Sequence, residues 1–215
     1  VLPEGWAESN GVLGLHTRVT DHHQFLLRPD LGRRLDEKSV ALLKERARKD
    51  VDVQVILADG LSAVDCTGAG MTLLNAMIQE CEARGLSVGT PMAAQFSRVW
   101  LQDEIGQIVR AKVAVILLGE RPGLGTGDGL SAYMVYQPKI GNTDANRNMM
   151  SNIHERGTPP KLAAKRLAIL AGAMLDQQTS GVSLDLSNLA AELGEAATRA
   201  HRAPQKRERL VEVPK

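Results

Sequence analysis

From residue 35 onward the chain switches repeatedly between two hydrophobic rhythms. Leu35–Lys49 (LDEKSVALLKERARK) sets Val40, Leu43 and Ala47 at steps of three and four. That spacing predicts an amphipathic helix, with acidic residues opening its first turn. Val51–Gly60 (VDVQVILADG) is a β-branched run closed by Asp-Gly, a strand followed by a turn. A long helical window follows, with Ser62 as its N-cap, Arg84 at its end and Gly85 as its C-cap. Gly68 and Gly70 weaken its first third.

Leu86–Phe96 (LSVGTPMAAQF) reads as a second strand. Leu101–Ala111 reads as a short helix with Ile105, Ile108 and Val109 on one side. Lys112–Gly119 (KVAVILLG) is apolar at every position from Val113 to Leu118, which suits a central strand covered on both faces. Ser131–Gln137 (SAYMVYQ) predicts a further strand. Thr158-Pro159-Pro160 predicts a helix start, with threonine as N-cap, and Ala163, Leu167, Leu170 and Met174 form the buried stripe behind it. A last amphipathic stretch, Leu184–Arg199, reads as a peripheral helix.

Helix and strand alternate through the middle of the chain, which predicts an α/β fold with a mostly parallel sheet flanked by helices. Residues 1–34 carry little periodicity and read as an N-terminal arm, 35–181 as the domain proper, and 182–215 as a C-terminal helix and tail. In such sheets ligands sit outside the carboxyl ends of the strands. The loops after Leu57, Gln95 and Leu118 are therefore the expected functional edge.

The 215 residues suffice for one large domain, and an apolar fraction of 43% suffices for a real core. Aromatics at 3% argue against a stacking surface for single-stranded nucleic acid, and a net charge of +1 gives no global pull toward DNA or an anionic membrane. The tail concentrates Arg199, Arg202, Lys206, Arg207 and Arg209, and reads as a solvated end rather than an anion-binding arm. Cys66 and Cys81 show no metal-ligand spacing and predict neither a disulfide nor a zinc site, with a reducing compartment as the default. The longest apolar runs fall short of the ~20 residues that span a bilayer, and there is no charged-then-apolar leader. The chain begins at Val1 and not at Met, so a preceding segment is expected to be missing.

The most distinctive stretch is VILLGERPGLGTGDGLSAYMVY, Val115–Tyr136. Gly127–Ala132 fits the G-x-G-x-x-A pattern of dinucleotide sites, but that chemistry needs a helix to open at the glycines. Tyr133-Met134-Val135-Tyr136 prefers strand instead. The pentapeptide DGLSA occurs at Asp59–Ala63 and again at Asp128–Ala132, as reused turn chemistry. The glycines suit either close approach of a bulky ligand or the tight bends of a long crossover. Glu120, just past the strongest strand, can accept from hydroxyls of a ligand or pair with Arg121 or Arg98; the residues alone favour the pair. Asp59 reads as a turn residue, His22 and His23 as neighbours that would point apart in a strand, and His154 as an exposed loop histidine. No catalytic constellation is spelled out, which looks like half of an active site.

LLRPDLGRRL (Leu26–Leu35), DVQVILADGLSA (Asp52–Ala63), VGTP (Val88–Pro91), DEIGQIVRAKVAVILLGERPGLG (Asp103–Gly125) and SNIHERGTPPKLAA (Ser151–Ala164) together resemble the small subunit of ethanolamine ammonia-lyase. The resemblance runs from about Leu26 to Gly181, and its RPDLGRR and GERPGLG blocks are specific. It implies a Rossmann-like domain that works with a TIM-barrel large subunit, which holds ethanolamine. Adenosylcobalamin is expected between the two subunits, in a trimer of large–small dimer pairs, in the bacterial cytoplasm and within a microcompartment.

Three cofactor contacts carry over by the resemblance: Val99 in Ser97-Arg98-Val99, Glu120, and Met149 where relatives have cysteine. A thioether keeps a packing contact but cannot replace a thiol hydrogen bond. The segment Val64–Gly70 is untypical of the family. No catalytic residue or metal ligand is expected in this chain, and neither nucleic acid nor membrane is expected as a partner. Two rival readings stay open: a corrinoid- or nucleotide-binding module without catalysis, and a cargo protein whose missing start mattered most.

Overall fold

The computed structural model describes residues 1–120, 129–187, 189 and 192–194. In chain order the elements are α1 (Trp6–Ser9), β1 (Leu13–His16), α2 (His22–Leu27), α3 (Glu37–Arg46), β2 (Val53–Ala58), α4 (Ala63–Asp65), α5 (Met71–Ala83), β3 (Met92–Gln95), α6 (Leu101–Val109), β4 (Val113–Gly119), β5 (Leu130–Tyr136), β6 (Arg147–Ile153) and α7 (Pro160–Gln177). Local chemistry sets their limits. Asp36 caps α3, accepting from Ser39 N at 2.7 Å. Gly85, at φ +75°, follows the end of α5 in the left-handed region that glycine adopts without strain. Gly68 and Gly70 fall in a π-helical turn, Cys66–Gly70, between α4 and α5.

The strands form one six-stranded sheet in the order β1-β3-β2-β4-β5-β6. β1, β3, β2 and β4 run parallel, whereas β5 and β6 are antiparallel additions. The expected mostly parallel sheet is thus a mixed one. The alternation of helix and strand stops after β4, and the two strands beyond it join without a crossover helix.

Three local expectations change. Leu13–His16, within the stretch read as an arm, form an edge strand on β3. Residues 86–96 yield only the short strand Met92–Gln95, preceded by an isolated bridge from Val88 to Val53. Pro159, and not Thr158, occupies the cap of α7, with Pro160 at its first position. Of the predicted terminal helix only fragments fall among the described residues, and the basic tail lies outside them.

Strand alternation splits the core in two. Val53, Val55, Leu57, Val113, Val115 and Leu117 point to one face and pack under α5 and α7. Ile56, Ala58, Ile116 and Leu118 point to the other and pack with Leu43 of α3 and Leu101 and Ile105 of α6. β2 and β4 are buried at every position on both faces; β4 is apolar throughout, while β2 carries one polar residue, Gln54, whose Nε2 donates to Val55 O and Thr90 O at 2.9 Å. No helix among the described residues is long and apolar enough to cross a membrane.

Candidate functional site

The carboxyl ends of β2 and β4 meet tightly. A Cβ on Gly119 would run into Ser62 O and Asp59 O, and one on Gly60, at φ +50°, into Gly119 O. Leu61 N donates to Gly119 O at 2.9 Å and locks the two turns together. Glu120 leaves this knot in step with Ile116 and Leu118, so it continues toward the α3–α6 face. The Tyr133 hydroxyl donates to Glu120 Oε1 at 3.4 Å. Burial pushes the Tyr133 phenol up from its ordinary value, and the Glu120 carboxylate adds to that shift. Arg98, one of the two expected partners of Glu120, donates to Phe25 O at 2.7 Å and lies 4.0 Å over the Phe25 ring. Arg121 and the rest of the glycine loop to residue 128 lie outside the described residues.

Tyr133 also joins Glu120 to the next predicted contact. Ile116, Tyr133 and Met149 are register partners across β4, β5 and β6, and so share one face. Met149 is 55% exposed on that face. Val99 stands on the same side, packed against the α3–α6 core in the loop between β3 and α6. The structure therefore groups Glu120, Tyr133 and Met149, and sets Val99 at the end of β3, with β2 between it and β4. Tyr133 is the member that sequence reasoning missed. Only the strand register, absent from a local pattern, brings it between the other two.

The same edge stores polar groups without partners. Asp59 is buried, with Oδ1 accepting from Ser97 N at 3.3 Å and Oδ2 unpaired among the described residues. Burial pushes its carboxyl up. Asp59 is thus more than a turn residue. The Ser97 hydroxyl, two residues before Val99, and both Asp65 oxygens are likewise buried without a partner among the described residues. Buried polar groups are normally bonded; unpartnered buried atoms among the described residues also occur away from this edge, at Gln54 Oε1 and Arg166 Nε.

Other expectations resolve differently. His154 is buried, not exposed, with Nε2 2.6 Å from Asn152 Oδ1. A side chain on Gly157 would collide with it. His22 and His23 open helix α2 rather than lying in a strand. Cys66 and Cys81 are free and buried; burial pushes the Cys81 thiol up to about 12, far from reactive. Among the described residues no group of three or more His, Cys, Asp and Glu could hold a metal ion. A hollow of about 460 Å³ opens between the N-terminal turn and β1–β3, lined by Leu2, Trp6, His16 and Gln95 among others, but by none of the three predicted contacts.

Behind the site, a charged network carries the sheet from β4 to β6. Arg147 of β6 bonds Asp103 of α6 at 3.1 and 2.5 Å, and both side chains are 3% exposed. Gln102, with its amide turned to donate to Tyr133 O and Ala114 O, accepts from Arg147 Nη1 at 3.0 Å. Both Arg147 Nη atoms are bonded, while Nε has only Asp144 Oδ1 at 3.8 Å, so the pair is supported mainly through its fork and Gln102.

Comparison with known protein families matches residues 5–185 to the ethanolamine ammonia-lyase light chain. The match begins well before Leu26 and takes in β1.

Proposed function

The chain belongs to the ethanolamine ammonia-lyase light-chain family, and from that premise we propose that it closes one side of a cobalamin site against a large subunit. The family name implies a lyase and a large-subunit partner. The finer reading is a carbon–nitrogen lyase turning ethanolamine into acetaldehyde and ammonia. In it, adenosylcobalamin lies at the subunit interface, the domain is Rossmann-like, and the assembly is a trimer of large–small pairs in a bacterial microcompartment.

One observation carries this reading: Glu120, Tyr133 and Met149 are linked across three strands on a sheet face that β6 leaves open. The residues fit the cofactor's chemistry. The Glu120 carboxylate, steadied by Tyr133, accepts hydrogen bonds from an amide or ribose edge. Met149 and Val99 offer adaptable apolar surface to a corrin rim. When bound, the cofactor supplies the radical chemistry. This chain binds and orients it, and keeps water out. Leu26 and Leu27 on α2 and Val64 after β2 stand exposed around this edge, as an unmet protein interface requires.

Met149, where relatives carry cysteine, favours one second reading: a corrinoid- or nucleotide-binding module without turnover. Reconstitution separates the two. The chain alone is expected to give no acetaldehyde, and the chain with large subunit and adenosylcobalamin is expected to give it. Cobalamin binding without turnover in that complex would select the second reading.

A further inference from the structure

The RPDLGRR block, Arg28–Arg34, is left without a role by the site described above. Its Leu31–Arg33 turn forms one wall of a separate hollow of about 340 Å³. Arg18, after β1, and Trp100, at the start of α6, form the others, with Ile140 and Gly141 closing the far side. We propose that this hollow is a phosphate-ester site, with Arg18, Arg33 and Arg34 as its cationic rim and the Trp100 ring as its wall.

The charge inventory supports this. Five charged residues line the hollow, and its two acids are already committed elsewhere. Asp30 is held by Arg28 at 2.9 and 2.7 Å, and Asp103 by Arg147 in the buried pair. Of the arginines, Arg34 has only a loose contact of 3.6 Å to Glu104, whose other oxygen accepts from Leu35 N at 2.7 Å. Arg18 places Nε on Leu35 O at 3.3 Å and forms no ion pair among the described residues. Arg33 lies 4.5 Å over the Trp100 ring, which orients its guanidinium without neutralising it. Trp100 is itself fixed by donating Nε1 to Asp144 Oδ1 at 2.8 Å. Two of the three arginines, Arg18 and Arg33, therefore have no carboxylate partner among the described residues, and the third, Arg34, is only loosely paired.

Arginine forks match planar carboxylates and phosphates alike. Three of them offer more donors than the two oxygens of one carboxylate use. A phosphate monoester brings three terminal oxygens and up to two charges, and a phosphodiester two terminal oxygens and one charge, set tetrahedrally rather than in a plane. The anion has two sources, a free phosphate ester or the phosphodiester in the nucleotide tail of cobalamin. Only the second rests on the cofactor reading above.

The test is calorimetric titration of the full chain, alone and with its large subunit, with inorganic phosphate, dimethyl phosphate, cobalamin and tail-less cobinamide. Arg33→Ala and the exposed Arg18→Ala are compared with Arg46→Ala, an exposed arginine at the far end of α3 and outside the hollow, and with Arg33→Lys, which keeps charge but loses the fork. Either rim truncation is expected to weaken the phosphate-bearing ligand by about tenfold or more, with Arg33→Lys intermediate and Arg46→Ala unchanged. Weakened cobalamin with unchanged cobinamide assigns the site to the nucleotide tail. Weakened phosphate or dimethyl phosphate with unchanged cobalamin assigns it to a free ester. If the rim variants leave every ligand unchanged, or weaken cobalamin and cobinamide equally, the proposal is overturned. A wild-type complex that binds no corrinoid would sink the cofactor reading and leave the phosphate titrations to decide this one.

Discussion

Under α5 and α7 the sheet is apolar from β2 across to β6, with Leu117, Ala132, Met134 and Ile153 in one continuous core. Under α3 and α6 the same strands, Gln54 of β2 apart, are apolar only as far as β4. Beyond it come the half-buried Tyr133, the buried Arg147–Asp103 pair and the open Met149. The first face spends its surface on stability. The second gives up apolar burial at its β5–β6 end and keeps a steadied carboxylate there. A face that is both polar and uncovered is where a ligand or subunit can still add burial.

Substitutions on the two faces should separate these roles. The largest effect is expected from Arg147→Ala, which leaves Asp103 charged and buried without its partner. A loss of about 3–5 kcal/mol in denaturant unfolding is predicted, with the Asp103→Ala, Arg147→Ala double variant recovering part of it. Next comes Leu117→Ala, which opens a cavity in the continuous core and is expected to cost about 2–4 kcal/mol, at an unchanged denaturant slope. Smallest is Met149→Cys, expected to stay within about 0.5 kcal/mol of the parent because the side chain is mostly in solvent. A Met149 change as costly as the Leu117 one would erase the contrast between the faces.

Much of this was legible in the chain. The unbroken apolar run of β4, the amphipathic α3 and α6, and the proline start of α7 follow from local periodicity, and the structure retains them. The antiparallel turn of the sheet after β4 did not follow, because a strand's direction is set by the long glycine connection and not by its own residues. β1 was too short to show a rhythm. At the site, residue chemistry alone marks Glu120 as one half of an ion pair; its expected place at a cofactor, like those of Val99 and Met149, comes from the family resemblance. Tyr133 has no such signal, since its contact with Glu120 spans a hairpin and depends on register. The buried polar orphans Asp59 and Ser97 look like ordinary turn residues in sequence, and only burial shows their cost.

The central claim is that Glu120 on the open face holds the cofactor. Titration of the large–small complex with adenosylcobalamin, comparing the parent with Glu120→Ala, tests it most directly. Loss of a charge-assisted acceptor predicts a Kd raised about tenfold or more, with subunit association and unfolding midpoint unchanged. An unchanged Kd in a well-folded Glu120→Ala complex would contradict the account.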